Sequence, residues 1–121
     1  MKRHAENIND LVDDIHHQNA QWWVDLDTGR PLKRNVGELI ALMHSELSEA
    51  LEADRKDLMD DKLPHRDGVE VELADAVIRI MDAAGGLGFD LGGAIVEKLE
   101  YNRKRADHKA EHRKQDGGKK Y

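Results

Sequence analysis

The sequence predicts a small all-α protein, a bundle of four helices that oligomerises through its helix faces. Apolar residues recur at helical spacing in four segments of the chain. Aromatic residues make up only 4% of the sequence, which disfavours an all-β core. Strand and helix patterns do not alternate as a parallel sheet would require. A chain of 121 residues has the length of one domain with a modest core, which leaves much of its surface available to a partner chain.

Composition excludes several classes of protein. The chain has no cysteine, so it can form neither disulfides nor thiolate metal sites. Charged residues make up 36% of it, and no apolar run approaches the ~20 residues that span a bilayer. No N-terminal segment resembles a signal peptide. We therefore expect a cytoplasmic protein that is not associated with a membrane.

Charge is distributed unevenly along the chain. The formal net charge is -6. Residues 98–121 contain nine basic and four acidic residues, which gives +5, and the rest of the chain carries -11. The acidic body and the lack of interleaved aromatic residues disfavour a stable nucleic-acid partner. We expect one domain over residues 1–112 and a flexible basic tail over 113–121.

The first helical segment is predicted over residues 5–24, where apolar residues follow a helical stripe. It ends at Trp22 and Trp23. Both rings could pack in the core, or one could border a pocket and stack on a nucleobase. His16 and His17 each follow an aspartate by three residues, which fits either a second metal site or surface pairing.

Three further helices are predicted from their caps. Asn35 begins a helix that runs to about residue 56, and Asp67 begins one that ends near Ala84, where glycines follow. Asp90 begins the last helix, which extends to about residue 112. The segments 25–34 and 57–67 contain proline and few periodic apolar residues, so they are predicted loops.

Two pairs of acidic residues lie beside apolar helix positions. Glu46 and Glu49 form one pair, and Glu72 and Asp75 form the other. A spacing of three residues places both carboxylates of a pair on one helix face. If the two helices form an antiparallel hairpin, four carboxylates converge and repel one another unless a cation lies between them. The pattern fits either a metal site or two solvated acidic faces.

The last helix carries a row of polar residues. Lys98, Asn102 and Arg105 follow at i, i+4 and i+7, which places them in one line. A cation–amide–cation row suits the oxygens of a phosphate chain, and a solvated basic face is the alternative interpretation.

Together these motifs resemble the MazG-like all-α nucleoside triphosphate pyrophosphatases. The resemblance covers about residues 35–106 and includes the two acidic pairs, the ELAD context of the second pair and the Lys98-x-x-x-Asn102 that follows. It implies a Mg²⁺-dependent enzyme, with Mn²⁺ as a substitute, that converts nucleoside triphosphates, often deoxy forms, to monophosphate and pyrophosphate. It also implies substrate contacts for Lys98 and Asn102, and a dimer or tetramer.

The mechanistic hypothesis assigns roles to these residues. Mg²⁺ prefers oxygen ligands and shares its coordination shell with phosphates, so Glu46, Glu49, Glu72 and Asp75 are its predicted ligands. Glu49 is also the predicted acceptor of the proton of the attacking water. The predicted substrate-binding residues are Lys98, Asn102, Arg105, Trp22 and Trp23.

Two other functions stay open, a non-catalytic helical interaction module and a di-iron carboxylate bundle, although neither acidic pair has the Glu-x-x-His pattern of di-iron sites.

Overall fold

The computed structural model describes residues 1–105 and Gly117. Its four α-helices are α1 (Lys2–Gln18), α2 (Val36–Arg55), α3 (Gly68–Leu87) and α4 (Leu91–Lys104), and a 3-10 helix, Ala20–Trp23, follows α1. The described part of the chain contains two isolated β-bridges and no strand. The predicted all-α fold with four helices is therefore confirmed. No helix in this part of the chain combines the length and the apolar character needed to cross a membrane.

The last three helices begin at the caps that the sequence predicts. Asn35, Asp67 and Asp90 each accept a hydrogen bond, 2.8–3.0 Å long, from a backbone N–H group in the first turn of the helix. These N–H groups have no carbonyl partner within their own helix, so each cap stabilises its helix by about 1 kcal/mol.

The third helix ends later than predicted. The sequence places its end near Ala84, but α3 continues to Leu87. Gly88, with φ of 73°, adopts the left-handed conformation that ends the helix, and its N–H donates back to a carbonyl of the last turn.

Gly85 and Gly86 serve close packing inside α3 instead of ending it. A Cβ atom at Gly85 would lie 2.6 Å from Cβ of His16, and one at Gly86 would lie 2.5 Å from Cζ3 of Trp23. Only glycine therefore lets the end of α1 and the indole approach the α3 backbone this closely.

The fourth helix is shorter than predicted. It ends at Lys104, and Arg105 has extended backbone angles (φ -68°, ψ 135°). The predicted domain boundary at residue 112 and the predicted tail over 113–121, apart from Gly117, lie outside the described residues.

The chain divides into two compact units. The described residues of the first unit are 1–10, 90–105 and Gly117, and the second unit is residues 11–89. In the first unit Asn9 joins the start of α1 to the start of α4. Its Nδ2 donates to Asp90 Oδ1, and its Oδ1 accepts from the N–H of Gly92, both at 2.8 Å.

In the second unit α2 and α3 pack as an antiparallel pair, the arrangement in which the sequence analysis expected the acidic motifs to converge. Leu39, near the start of α2, packs with Ala83 near the end of α3. In the middle of both helices, Glu46 pairs with Arg79. Ala53, near the end of α2, lies against the first residue of α3. Contacts that run in opposite order along the two helices define the antiparallel arrangement.

The core is small and much apolar surface is exposed. Trp23, Leu39 and Ala83 form the buried cluster, with Met43 and Leu87 partly buried against it. The apolar residues of α2 are divided between core and surface. Leu39 and Ala50 are buried, whereas several others are exposed, namely Val36, Ile40, Leu47 and Leu51. Exposed apolar residues also line α3, at Leu73, Val77 and Ile80. Periodicity alone could not distinguish surface that is buried within the chain from surface left for another chain.

Candidate metal centre and the adjoining cavity

Three of the four predicted metal ligands lie together where α2 faces α3. Glu46, Glu72 and Asp75 each offer one carboxylate oxygen, and these oxygens all lie within 4.8 Å of one another. We call these three residues the acidic cluster. All three are partly buried. Glu49, the fourth predicted ligand, lies one helical turn further along α2; it is exposed and is not part of the cluster.

The acidic cluster is electrostatically strained. Partial burial raises the pKa of Glu72 to about 7, and a hydrogen bond shared with Glu46 and the charges of Asp75, Glu46 and Glu49 act in the same direction. Burial also raises the pKa of Asp75, and the charges of Glu46 and Asp60 add to this effect. Near neutral pH the cluster therefore retains a proton for part of the time, as expected where carboxylates meet.

The donor set of the acidic cluster fits Mg²⁺. Carboxylate oxygens are hard ligands, and Mg²⁺ is usually bound by one or two protein carboxylates together with water and substrate phosphates. The cluster could supply up to three such ligands and contains neither nitrogen nor sulfur donors. Two unit charges 4.8 Å apart repel by about 3–4 kcal/mol at an effective dielectric of 20. A divalent cation would remove this repulsion.

Arg79 provides the nearest positive charge. Its Nε donates to Glu46 Oε1 at 2.8 Å, which joins α3 to α2 at the acidic cluster. The same guanidinium opposes the rise in the pKa of Asp75. The sequence analysis did not identify this residue, although its position one helical turn after Asp75 places it on the same helix face.

A cavity of about 670 Å³ adjoins the acidic cluster. Glu46 and Asp75 line it. The other lining residues come from the segments before α2, from α2 itself and from the rest of α3, namely Asn19, Trp22, Arg34, Leu42, Ile78, Arg79 and Asp82. Asp82 lies two turns after Asp75, about 10 Å along the helix. The cavity therefore extends from the carboxylates past two arginines and an indole, and its volume is within the range of small-molecule sites.

The two tryptophans have different environments. Trp23 is 9% exposed and packs in the core, whereas Trp22 is 59% exposed and lines the cavity. Trp23 Nε1 donates to both oxygens of buried Asp82 at 3.1 Å, and His16 Nδ1 lies 2.9 Å from Asp82 Oδ1. Of the two tryptophans, Trp23 packs in the core and Trp22 lines the cavity. His16 of α1 therefore interacts with Asp82 of α3. Neither a metal site nor a pairing with Asp13, the aspartate three residues earlier, is observed for His16 among the described residues.

A second, smaller cavity lies on the other side of Glu72. It has a volume of about 280 Å³, and its lining includes Glu49, Glu72 and Asp60. Asp60 is buried and accepts hydrogen bonds from the backbone N–H groups of Lys62 and Leu63 at 3.0 and 2.8 Å. These bonds fix the loop between α2 and α3 beside the carboxylates.

Lys98 and Asn102 of the predicted phosphate-binding row lie on α4, in the first compact unit. Arg105 follows the end of this helix with extended backbone angles, so the predicted helical line does not continue to it. Lys98 Nζ lies 4.7 Å from the centre of the Tyr101 ring, and the Arg105 guanidinium lies 5.7 Å from the same centre. Asn102 Oδ1 is buried and has no hydrogen-bond partner within the described residues. The role of Lys98, Asn102 and Arg105 in binding phosphate stays a prediction.

The chain matches no protein-family model, no curated protein and no solved structure in the comparisons made with each. The resemblance to the MazG-like pyrophosphatases therefore stays a prediction from the motifs.

The raised pKa of Glu72 predicts a specific pH dependence of stability. The folded protein holds this proton up to about pH 7, whereas the unfolded chain releases it near 4.5. The stabilising contribution of the group is therefore complete below about pH 4.5 and is lost as the pH rises to 7. In EDTA we expect the Tm of the natural protein to fall more steeply between pH 5 and 8 than that of Glu72→Gln. Glu97→Gln, an exposed change on α4, is the control, and identical slopes in all three proteins would contradict the prediction.

Proposed function

We propose that this protein is a Mg²⁺-dependent nucleoside triphosphate pyrophosphohydrolase, which hydrolyses its substrate at the α-phosphate to monophosphate and pyrophosphate. The observation that supports this most is the acidic cluster beside a nucleotide-sized cavity. The carboxylates fit Mg²⁺, which would bind the triphosphate. The two arginines of the cavity could contact phosphate oxygens, and the exposed indole could stack on the base.

In this proposal each residue has a defined role. When bound, Mg²⁺ would polarise phosphate oxygens and neutralise their charge. Glu46, Glu72 and Asp75 would hold the ion, and the exposed face of Trp22 would stack on the base. The oxygen of a water molecule forms a bond to the α-phosphorus while the bond from this phosphorus to the bridging oxygen breaks, and pyrophosphate leaves.

Glu49 is the proposed acceptor of the proton of the attacking water. It is exposed and lies outside the acidic cluster, yet its charge reaches Glu72. A carboxylate that lies near the ion without coordinating it keeps a lone pair that can accept the proton. This position favours the second of the two roles predicted for Glu49, a base instead of a ligand.

The test is an assay of pyrophosphate release from the eight common ribo- and deoxyribonucleoside triphosphates, with Mg²⁺ and then with Mn²⁺. We expect Mg²⁺-dependent release of pyrophosphate from at least one of them, and EDTA should abolish it. Release of inorganic phosphate alone, or no release from any substrate, would contradict the proposal. A protein whose thermal stability does not respond to Mg²⁺ would instead favour a non-catalytic interaction module.

The exposed apolar faces of α2 and α3 support the further proposal of a homo-oligomer. Large apolar patches are uncommon on monomers and usually mark interfaces. Light scattering should give a mass of at least twice the 13.7 kDa of the chain. Ile40→Glu should shift the mass toward that of one chain, whereas Leu26→Glu, at an 80% exposed loop position, should not. A light-scattering mass equal to that of one chain would contradict this proposal.

The cytoplasmic location stays a prediction.

A further inference from the structure

Arg79 makes an ion pair of an unusual kind for this chain. Most ion pairs in the described residues join exposed side chains that are three or four positions apart in the sequence, as Arg66 and Glu70 do. Arg79 instead joins α3 to α2, and its partner Glu46 has a side chain that is only 15% exposed. The 2.8 Å bond to this partly buried carboxylate is charge-assisted, so it is stronger than a surface pair.

The Arg79 guanidinium serves more than one member of the acidic cluster. It lies against Glu46, and it opposes the effects of burial and neighbouring carboxylates on the pKa of Asp75. It also lines the cavity that these two acids share. Arg79 therefore acts as a counter-cation at the position proposed for the metal.

A guanidinium and a divalent ion on one carboxylate repel each other at short range. Each cation therefore weakens the attachment of the other to Glu46. An arginine released from Glu46 is already at the wall of the cavity, and its planar set of N–H donors matches two oxygens of a phosphate group.

We propose that Arg79 and the divalent cation compete for Glu46, and that Arg79, once displaced, binds a phosphate oxygen of the nucleotide in the adjoining cavity. This inference rests on the proposed function. It assigns to one residue two effects of opposite sign: Arg79 lowers the affinity for the metal alone and raises the affinity for the nucleotide.

The test compares Arg79→Gln with Arg66→Gln, which removes the same charge from an exposed pair elsewhere in the second unit. Calorimetric titration with Mg²⁺ alone should show that Arg79→Gln binds the ion roughly three- to tenfold more tightly than the natural protein. At saturating Mg²⁺, its KM for the nucleotide should rise about tenfold or more, because a charge-assisted contact is lost. Arg66→Gln should change neither quantity by more than about twofold.

The outcomes separate the inference from the function on which it rests. If the natural protein takes up no Mg²⁺, the proposed function is overturned and the inference with it. If the natural protein binds Mg²⁺ but Arg79→Gln binds it equally or less tightly, only the inference is overturned, because Arg79 then merely orients Glu46.

A measurement on the natural protein avoids any effect of a substitution on folding. The Arg79 Nε–H group, hydrogen-bonded to Glu46, should give a resolved nitrogen–proton NMR signal. Addition of Mg²⁺ should move or broaden this signal as the bond is exchanged. A signal that is unchanged at saturating Mg²⁺ would overturn the inference.

Discussion

Replacing Glu72 with glutamine is expected to reduce Mg²⁺-dependent pyrophosphate release by on the order of 100-fold or more while the helices stay folded. Glutamine has the same shape and keeps one oxygen, but it removes a negative charge from the centre of the acidic cluster. A metal ion typically contributes several kcal/mol to the stabilisation of the transition state, and each 1.36 kcal/mol corresponds to a tenfold change in rate.

Two companion variants sharpen this result. Asp75→Asn should behave as Glu72→Gln does, because both residues belong to the acidic cluster. Glu49→Gln should lower kcat with little change in Mg²⁺ affinity, as expected of a proton acceptor that does not hold the ion. Full activity in Glu72→Gln, or a loss equally large in the exposed control Glu97→Gln, would refute the assignment of the cluster.

The largest expected loss of stability comes from Gly86→Ala. The added Cβ would lie 2.5 Å from Cζ3 of Trp23, and the indole is held by its two hydrogen bonds to Asp82. Overpacking a core typically costs about 1–3 kcal/mol, whereas alanine in place of glycine in a helix gains only about 1 kcal/mol. We expect a net loss of up to about 2 kcal/mol in the free energy of unfolding, measured by urea denaturation.

A double substitution tests the cause of this loss. In a Trp23→Leu background the ring that clashes is gone, so Gly86→Ala should cost far less than it does alone. Gly37→Ala, near the start of α2, should change stability by less than about 1 kcal/mol, because its nearest new contact is Asn35 Oδ1 at 3.1 Å. Additive effects of the two substitutions would show that the clash with Trp23 is not the cause.

Local signals were sufficient to predict the caps of three helices. Asn35, Asp67 and Asp90 act within one turn of their own helices, so their roles can be identified from neighbouring residues alone. If α2 and α3 formed an antiparallel hairpin, the acidic pairs predicted that four carboxylates would converge, and in the structure three of the four do. Glu49 does not join them, although it is three residues from Glu46 just as Asp75 is three residues from Glu72. The spacing alone therefore could not show which members of the two pairs would meet.

The remaining errors concern contacts between segments that are distant in sequence. Gly85 and Gly86 look like helix terminators, but their partners are His16 and Trp23, more than sixty positions earlier. Arg79 looks like a surface residue of α3 until α2 places Glu46 beside it. The exposed stripes of α2 and α3 have the same periodicity as buried ones. Periodicity reports which residues share a face, and it does not report what covers that face.

The most direct test of the metal centre is anomalous diffraction from crystals grown with Mn²⁺ in place of Mg²⁺. We predict an anomalous peak within coordination distance, about 2.0–2.3 Å, of carboxylate oxygens of Glu46, Glu72 and Asp75. Absence of a peak at saturating Mn²⁺, or a peak bound only by other residues, would contradict the assignment of these three carboxylates as the metal site.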